Sequence, residues 1–125
     1  MKLTDSFTII TIMVWALMSG SVALAADAAL TTEEVTALIS GKTVHGTSSK
    51  GKRYRMYFAD DGSLKSGDKA TGTWEVRDGA VCNTWDHRGP AGCDKVYRRD
   101  NGKIYYITPS GGKGKFLKFE DGDQL

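Results

Sequence analysis

From residue 42 to the C-terminus, apolar and polar positions alternate in short runs separated by glycine-bearing turns. The clearest run covers 52–59, with Tyr54, Met56 and Phe58 on one face and Arg53, Arg55 and Tyr57 on the other. Strict alternation marks a strand that lays one face on a core. The same pattern predicts strands at 43–47, 71–76, 80–85, 93–99, 103–108 and 115–119, with a short return run at 63–65. In 71–76, Trp74 and Val76 face one way and Thr73 and Glu75 the other. Asp61-Gly62, Asp78-Gly79, Asn101-Gly102 and Asp121-Gly122 punctuate these runs. Such pairs favour type I′ turns, which need positive φ at both central residues. Tight hairpins join only antiparallel neighbours, so the sheet is a meander.

One segment carries a helical signal instead. Thr31 and Glu34 form a capping box, each side chain satisfying the other's free backbone N–H. Leu30 and Val35 are placed as a hydrophobic staple, Val35, Leu38 and Ile39 share a face, and Gly41 ends the helix in the left-handed conformation. The expected fold is therefore mainly β. It is a small antiparallel meander barrel or half-barrel of about seven to eight strands, with one short N-terminal helix plugging an end. Tyr54, Met56, Phe58, Trp74, Val76, Ile104 and Tyr106 are the expected core, and so many large aromatics predict a filled interior. Gly46, Gly67 and Gly72 are placed to relieve crowding where strands bend.

The N-terminus is read separately. Lys2, an apolar run at 7–18 and the small-residue exit Ala23-Leu24-Ala25 make 1–25 a signal peptide cut after Ala25, leaving a single domain over 26–125. The apolar run is shorter than the ~20 residues that span a bilayer, so no stable membrane span is expected. The compartment is then periplasmic or secreted. In an oxidising compartment Cys82 and Cys93 read as one structural disulfide, expected to close the loop 86–92 and to contribute about 2–3 kcal/mol. The chain has 125 residues, 17 Lys+Arg against 15 Asp+Glu and a net charge of +2, a balance that losing Lys2 and Asp5 leaves unchanged. That balance argues against a strongly basic nucleic-acid binder, and export makes nucleic acid an unsuitable partner.

Taken together, the strings Leu30-Thr31-Thr32-Glu33-Glu34-Val35, Ser40-Gly41-Lys42-Thr43-Val44, Tyr57-Phe58, Gly72-Thr73-Trp74-Glu75-Val76, Cys82 with Cys93, and Val96-Tyr97 resemble a group of small exported proteobacterial proteins. In layout these are similar to lipocalin-like periplasmic β-barrels. The resemblance spans nearly the whole mature chain. It implies a compartment and a fold, and it carries over no catalytic residue.

Catalytic constellations are weak. Nucleophilic catalysis needs a base beside Ser or Cys, and only His45 and His87 exist. Glu75, Asp86 and Asp94 are the carboxylates that a glycan hydrolase would have to bring together. No phosphate loop, nucleophile elbow or zinc motif occurs, and Asp86-His87 with a distant His45 is a poor metal set, so no metal or cofactor is expected. The stronger candidate is recognition. Trp85, Asp86, His87 and Arg88 sit on the cysteine-tied loop, and loops held by a rigid scaffold are where binding residues concentrate. Arg53 and Arg55 add an outward basic face to which Arg98, Arg99, Lys113, Lys115 and Lys118 contribute if neighbouring strands converge. The expected function is a non-enzymatic binding module of the bacterial envelope, recognising a small ligand, an anionic glycan or an envelope protein through the disulfide loop. An envelope glycan hydrolase and a purely structural or stress-related periplasmic protein are the alternatives.

Overall fold

The computed structural model describes residues 27–125; the signal peptide expected over 1–25 lies outside the described residues. In chain order these residues form β1 (Ala28–Ala29), α1 (Thr32–Ile39), β2 (Lys42–Thr47), β3 (Arg53–Phe58), β4 (Ser63–Ser66), β5 (Thr71–Arg77), β6 (Ala80–Trp85), β7 (Gly89–Arg98), β8 (Ile104–Ile107) and β9 (Lys113–Asp121). From β2 to β9 each strand pairs antiparallel with the next, and β9 returns to pair with β2. The result is a closed barrel rather than a half-barrel. Closure leaves no free edge among these strands, which removes a template for edge-to-edge association. β1 lies outside the ring and pairs with the end of β7 through Ala28–Arg98 and Ala29–Tyr97.

An up-and-down barrel has two ends. At one, α1 lies over the connections after β3 and β5: Gly41 N–H donates to the Phe58 carbonyl, Ser40 Oγ to Asp60, and Gly79 N–H to Thr32 Oγ1. The capping box forms with both of its hydrogen bonds at 3.2 Å, and Gly41 takes φ 71°. Val35 and Ile39 are fully buried against Val44, Phe58, Leu64 and Val81. Trp74 stands edge-on to Phe58 and anchors its indole N–H on the Ala59 carbonyl. This end is filled, as the aromatic content predicts. The connections 48–52, 67–70, 86–88 and 108–112 form the opposite end, which no helix covers.

Most of the turns differ from the type I′ expectation. Only Asp78-Gly79 has positive φ at both residues, 51° and 74°. In the hairpins at 48–52, 59–63, 66–70, 99–103 and 108–112, the fourth residue donates to the first carbonyl and the first N–H donates to the fifth carbonyl. That is a three-residue loop in which only the last loop position is left-handed. Glycine fills it at 51, 62, 102 and 111, and Lys69 fills it in the fifth hairpin with φ 73°. Asp61, Asp68 and Asn101 each accept a backbone N–H two residues on, so their side chains brace the turns. Asp121-Gly122 makes no hairpin; Gly122 N–H donates to the Gly41 carbonyl, and the tail caps the buried Thr43 hydroxyl.

The expected disulfide loop is a further correction. The disulfide forms, but residues 89–92 belong to β7, and the true connection is Asp86, His87 and Arg88. Cys82 and Cys93 face each other across β6 and β7 with Cα atoms 4.2 Å apart, so the bond staples two strands rather than closing a loop. Pro90 is accommodated because the ladder shifts register between Asn83 and Thr84. Of the glycines expected at corners, Gly46 and Gly72 are crowded as anticipated: a Cβ would strike the Tyr54 ring at the first and the Thr84 carbonyl at the second. Gly67 has room. Gly114, under the Tyr106 ring, plays the same part as Gly46.

Candidate functional site

Alternation along the strands decides which side chains reach the barrel interior. Directly paired residues share a face, so Val81 with Asp94, Trp74 with Asn83, and Gly72 with Trp85 all point inward. Towards the helix end these positions are apolar. Towards the open end they become Tyr54, Met56, Ser66, Asn83, Trp85 and Asp94, which line the inner part of an open cavity of about 690 Å³ that continues over the rim to His45, Arg53, Arg55 and Leu117 on the outer wall. A volume of this size lies within the range of small-molecule sites, about 300–1,000 Å³. The barrel is therefore filled at the helix end only, and the expected filled interior gives way to an open cavity at the other end.

The cavity's polar groups are unevenly matched. Tyr54 Oη donates to Tyr106 Oη at 2.9 Å, and Tyr106 Oη donates to the Thr47 carbonyl at 3.2 Å. Burial raises both phenols, and the nearby Asp94 charge raises them further. Asn83 Oδ1 is buried with no donor. Burial alone pushes the Asp94 carboxyl up to about 6. Its side chain makes no ion pair among the described residues. Buried polar groups are normally satisfied, and those that are not point to strain, water or function.

Trp85 is 6% exposed and belongs to the apolar core while also lining the cavity. Arg88 stacks over its indole at 5.6 Å. Arg53 and Arg55 line the same cavity, so the fold brings together four of the residues singled out in the sequence: Trp85, Arg88, Arg53 and Arg55. Asp86 and His87 are set apart. Asp86 accepts from Thr71 Oγ1 at 2.7 Å, and with His87 it lines a smaller neighbouring depression beside Asp68 and Lys69. Asn83 and Tyr54 are not singled out by the sequence as site residues, and Asp94 only as one of three carboxylates for hydrolysis. Their signal was a polar side chain at the inward parity of a strand, as Asp94 shows two residues before Val96.

The three carboxylates weighed for hydrolysis do not converge. Glu75 faces outward and pairs with Arg77 at 3.2 Å, Asp86 is held in its loop, and Asp94 is inside. His45 contacts Glu120 across β2 and β9 and holds that carboxyl below its ordinary range, while His87 lies near Trp85. Among the described residues no three His, Cys, Asp or Glu side chains gather as a metal set. Nor is any helix among them long and apolar enough to cross a membrane.

The basic residues do meet. Thr47 pairs with both Arg53 and Lys115, and His45 with both Arg55 and Lys118, so these four cations share the outer face of β3, β2 and β9. Arg99 and Lys113 lie over the Tyr105 ring at 5.2 and 4.2 Å, whereas Arg98 is at the helix end with Glu34 at 3.7 Å. Fold and site together define a small single-disulfide antiparallel barrel with one plugged end and one polar, basic-rimmed mouth. No family model, curated protein or solved structure matches the chain.

Proposed function

We infer that this is an exported, non-enzymatic binding protein of the bacterial envelope that holds a small ligand in the open mouth of its barrel. One observation carries the reading: the inner part of the 690 Å³ cavity is lined by the unsatisfied Asn83 Oδ1 and by Asp94, at the mouth of a barrel otherwise packed with apolar side chains. A half-buried carboxylate without a partner lowers stability, and keeping one inside a barrel supports a site that another molecule completes. Export rests on the leader at 1–25 and on the cysteine pair. Recognition is by the cavity and its rim, with Arg88 of the 86–88 connection and Arg53 of β3 at the entrance, rather than by a free-standing disulfide loop.

Binding fits the lining better than hydrolysis does. The second carboxylate on the cavity, Asp68, is engaged by Ala70 N–H at 3.1 Å and is held below its ordinary range by that bond and one from Ser66. It therefore stays ionised and is engaged by its own turn, which ties up the carboxylate that hydrolysis would need as base or nucleophile opposite Asp94. The test is native mass spectrometry of the protein after exposure to the small-molecule fraction of a cell extract. A one-to-one adduct that is lost in Arg53→Ala/Arg88→Ala is the expected result. These arginines are exposed, so the double variant keeps its fold. Absence of any adduct on the unaltered protein, or equal retention by the variant, would refute the mouth as a binding site.

A further inference from the structure

The interior of the mouth holds oxygen acceptors that the protein leaves unmatched. Asn83 Oδ1 has no donor, and the half-buried Asp94 makes no ion pair among the described residues. Tyr54 gives its only proton to Tyr106, leaving its oxygen able to accept. Three elements, β3, β6 and β7, thus present the oxygens of Tyr54, Asn83 and Asp94 towards one space. Leaving buried acceptors unmatched is costly, and a ligand bearing N–H donors relieves that cost most fully when it is cationic.

The entrance has the opposite character. Lys52, Arg53, Arg55 and Arg88 line the cavity against one exposed carboxylate, Asp68, and none of the four cations enters an ion pair among the described residues. Lys115 and Lys118 extend this positive face along the adjoining wall. A purely anionic ligand would answer the rim but meet Asp94 inside. A purely cationic one would answer Asp94 but face the field of the rim on entry. Only a molecule carrying both charges, separated along its length, answers both ends.

We propose that the mouth takes a small zwitterion, its amine set among Asp94, Asn83 Oδ1 and Tyr54 Oη and its carboxylate held by Arg53, Arg55 and Arg88. This rests on the cavity being a ligand site, and it adds which class of molecule the site selects. Lys52 and the wall lysines steer the anionic end and keep it outermost.

The test is calorimetric titration of the protein with ω-amino carboxylic acids of increasing chain length, beside alkylamines and alkanoates matched in length. The best-fitting ω-amino acid should bind about 10- to 100-fold more tightly than either matched half, since each end adds a charge-assisted hydrogen bond. Asp94→Asn should lower its affinity to that of the alkanoate, and Arg53→Gln/Arg55→Gln to that of the alkylamine. Alkanoates binding as well as ω-amino acids, or affinity unchanged in Asp94→Asn, would overturn the zwitterion assignment. So would a panel in which no compound binds. An adduct in the extract experiment alongside any of these results would leave the ligand site standing and remove only its assignment to zwitterions; no adduct in either experiment removes both.

Discussion

Replacing Asp94 by Asn should make the protein more stable at neutral pH, although it alters a residue inside the barrel. Burial lifts the Asp94 carboxyl from its ordinary 3.8 to about 6. The folded state therefore holds a proton that the unfolded chain has released, and stability falls as pH rises from 3.8 to about 6, then levels off. A rise of that size corresponds to about 3 kcal/mol if the group were wholly shielded. Asp94 lines a cavity open to solvent at one end, and screening there reduces the effect to about 1–2 kcal/mol. Asn keeps the shape and cannot ionise. At pH 7.5 Asp94→Asn should thus exceed the unaltered protein by about 1–2 kcal/mol, a rise in Tm of roughly 5–15 °C for a domain this size. Near pH 3.5 the two should agree within a few tenths of a kcal/mol. Urea unfolding at several pH values, followed by tryptophan fluorescence, measures the gap. Taking the difference between the two proteins cancels carboxyls that titrate the other way, such as Glu120 and Asp61, which lie below their ordinary range through bonds from His45 and Ser63. A gap of constant size at every pH, or a variant less stable at pH 7.5, would refute the unpaired-charge reasoning.

Three further outcomes follow from named positions. Reducing the disulfide, or replacing both Cys82 and Cys93 by Ser, should cost about 2–3 kcal/mol in urea unfolding; an unchanged midpoint would show that the β6–β7 ladder alone holds that hairpin. Lys69→Gly should raise stability by about 0.5–1 kcal/mol, because Lys69 occupies a left-handed position that glycine fills in four sister turns; a loss would contradict the strain assigned to that turn. Gly72→Ala should cost about 1–3 kcal/mol, since the added methyl meets the backbone carbonyl of Thr84, which has no rotamer by which to yield; a neutral result would mean that β5 and β6 can separate freely.

How far the structure was legible can be judged from individual residues. Period-two alternation in 52–59 gave β3 its faces correctly, because Tyr54, Met56 and Phe58 all turn inward. The capping box at Thr31 and Glu34 located α1, because capping is chemistry within a few residues. Turn geometry was less legible. Asp-Gly and Asn-Gly serve both the two-residue turn and the three-residue loop, and the choice between them depends on the register of the flanking strands. The apparent cysteine loop misled because glycine and proline at 89–92 read as a break, whereas these residues pair with β6, Gly89 and Gly92 doing so with φ of 77° and 91°. The site was half legible. Trp85, Arg88, Arg53 and Arg55 stood out as residue types suited to recognition. Asn83 reads as an ordinary polar position, and Asp94 as one of three scattered carboxylates, until ring closure places them in the interior. Closure depends on β9 meeting β2, a pairing between segments far apart in sequence that no local pattern announces.

Trp85 also shows why the obvious mutation is the wrong probe. It is buried in the core, so Trp85→Ala would remove packing worth about 3–5 kcal/mol and confound any loss of binding. The direct measurement of the central claim is an amide chemical-shift titration of the unaltered protein with the best-binding ω-amino acid. Shifts should concentrate at the mouth, at Gly46, Tyr54, Ser66, Asn83, Trp85 and Asp94, and leave Val35, Ile39 and Val76 at the plugged end unmoved. Shifts confined to the outer wall or to the helix end, with the mouth residues silent, would contradict the account.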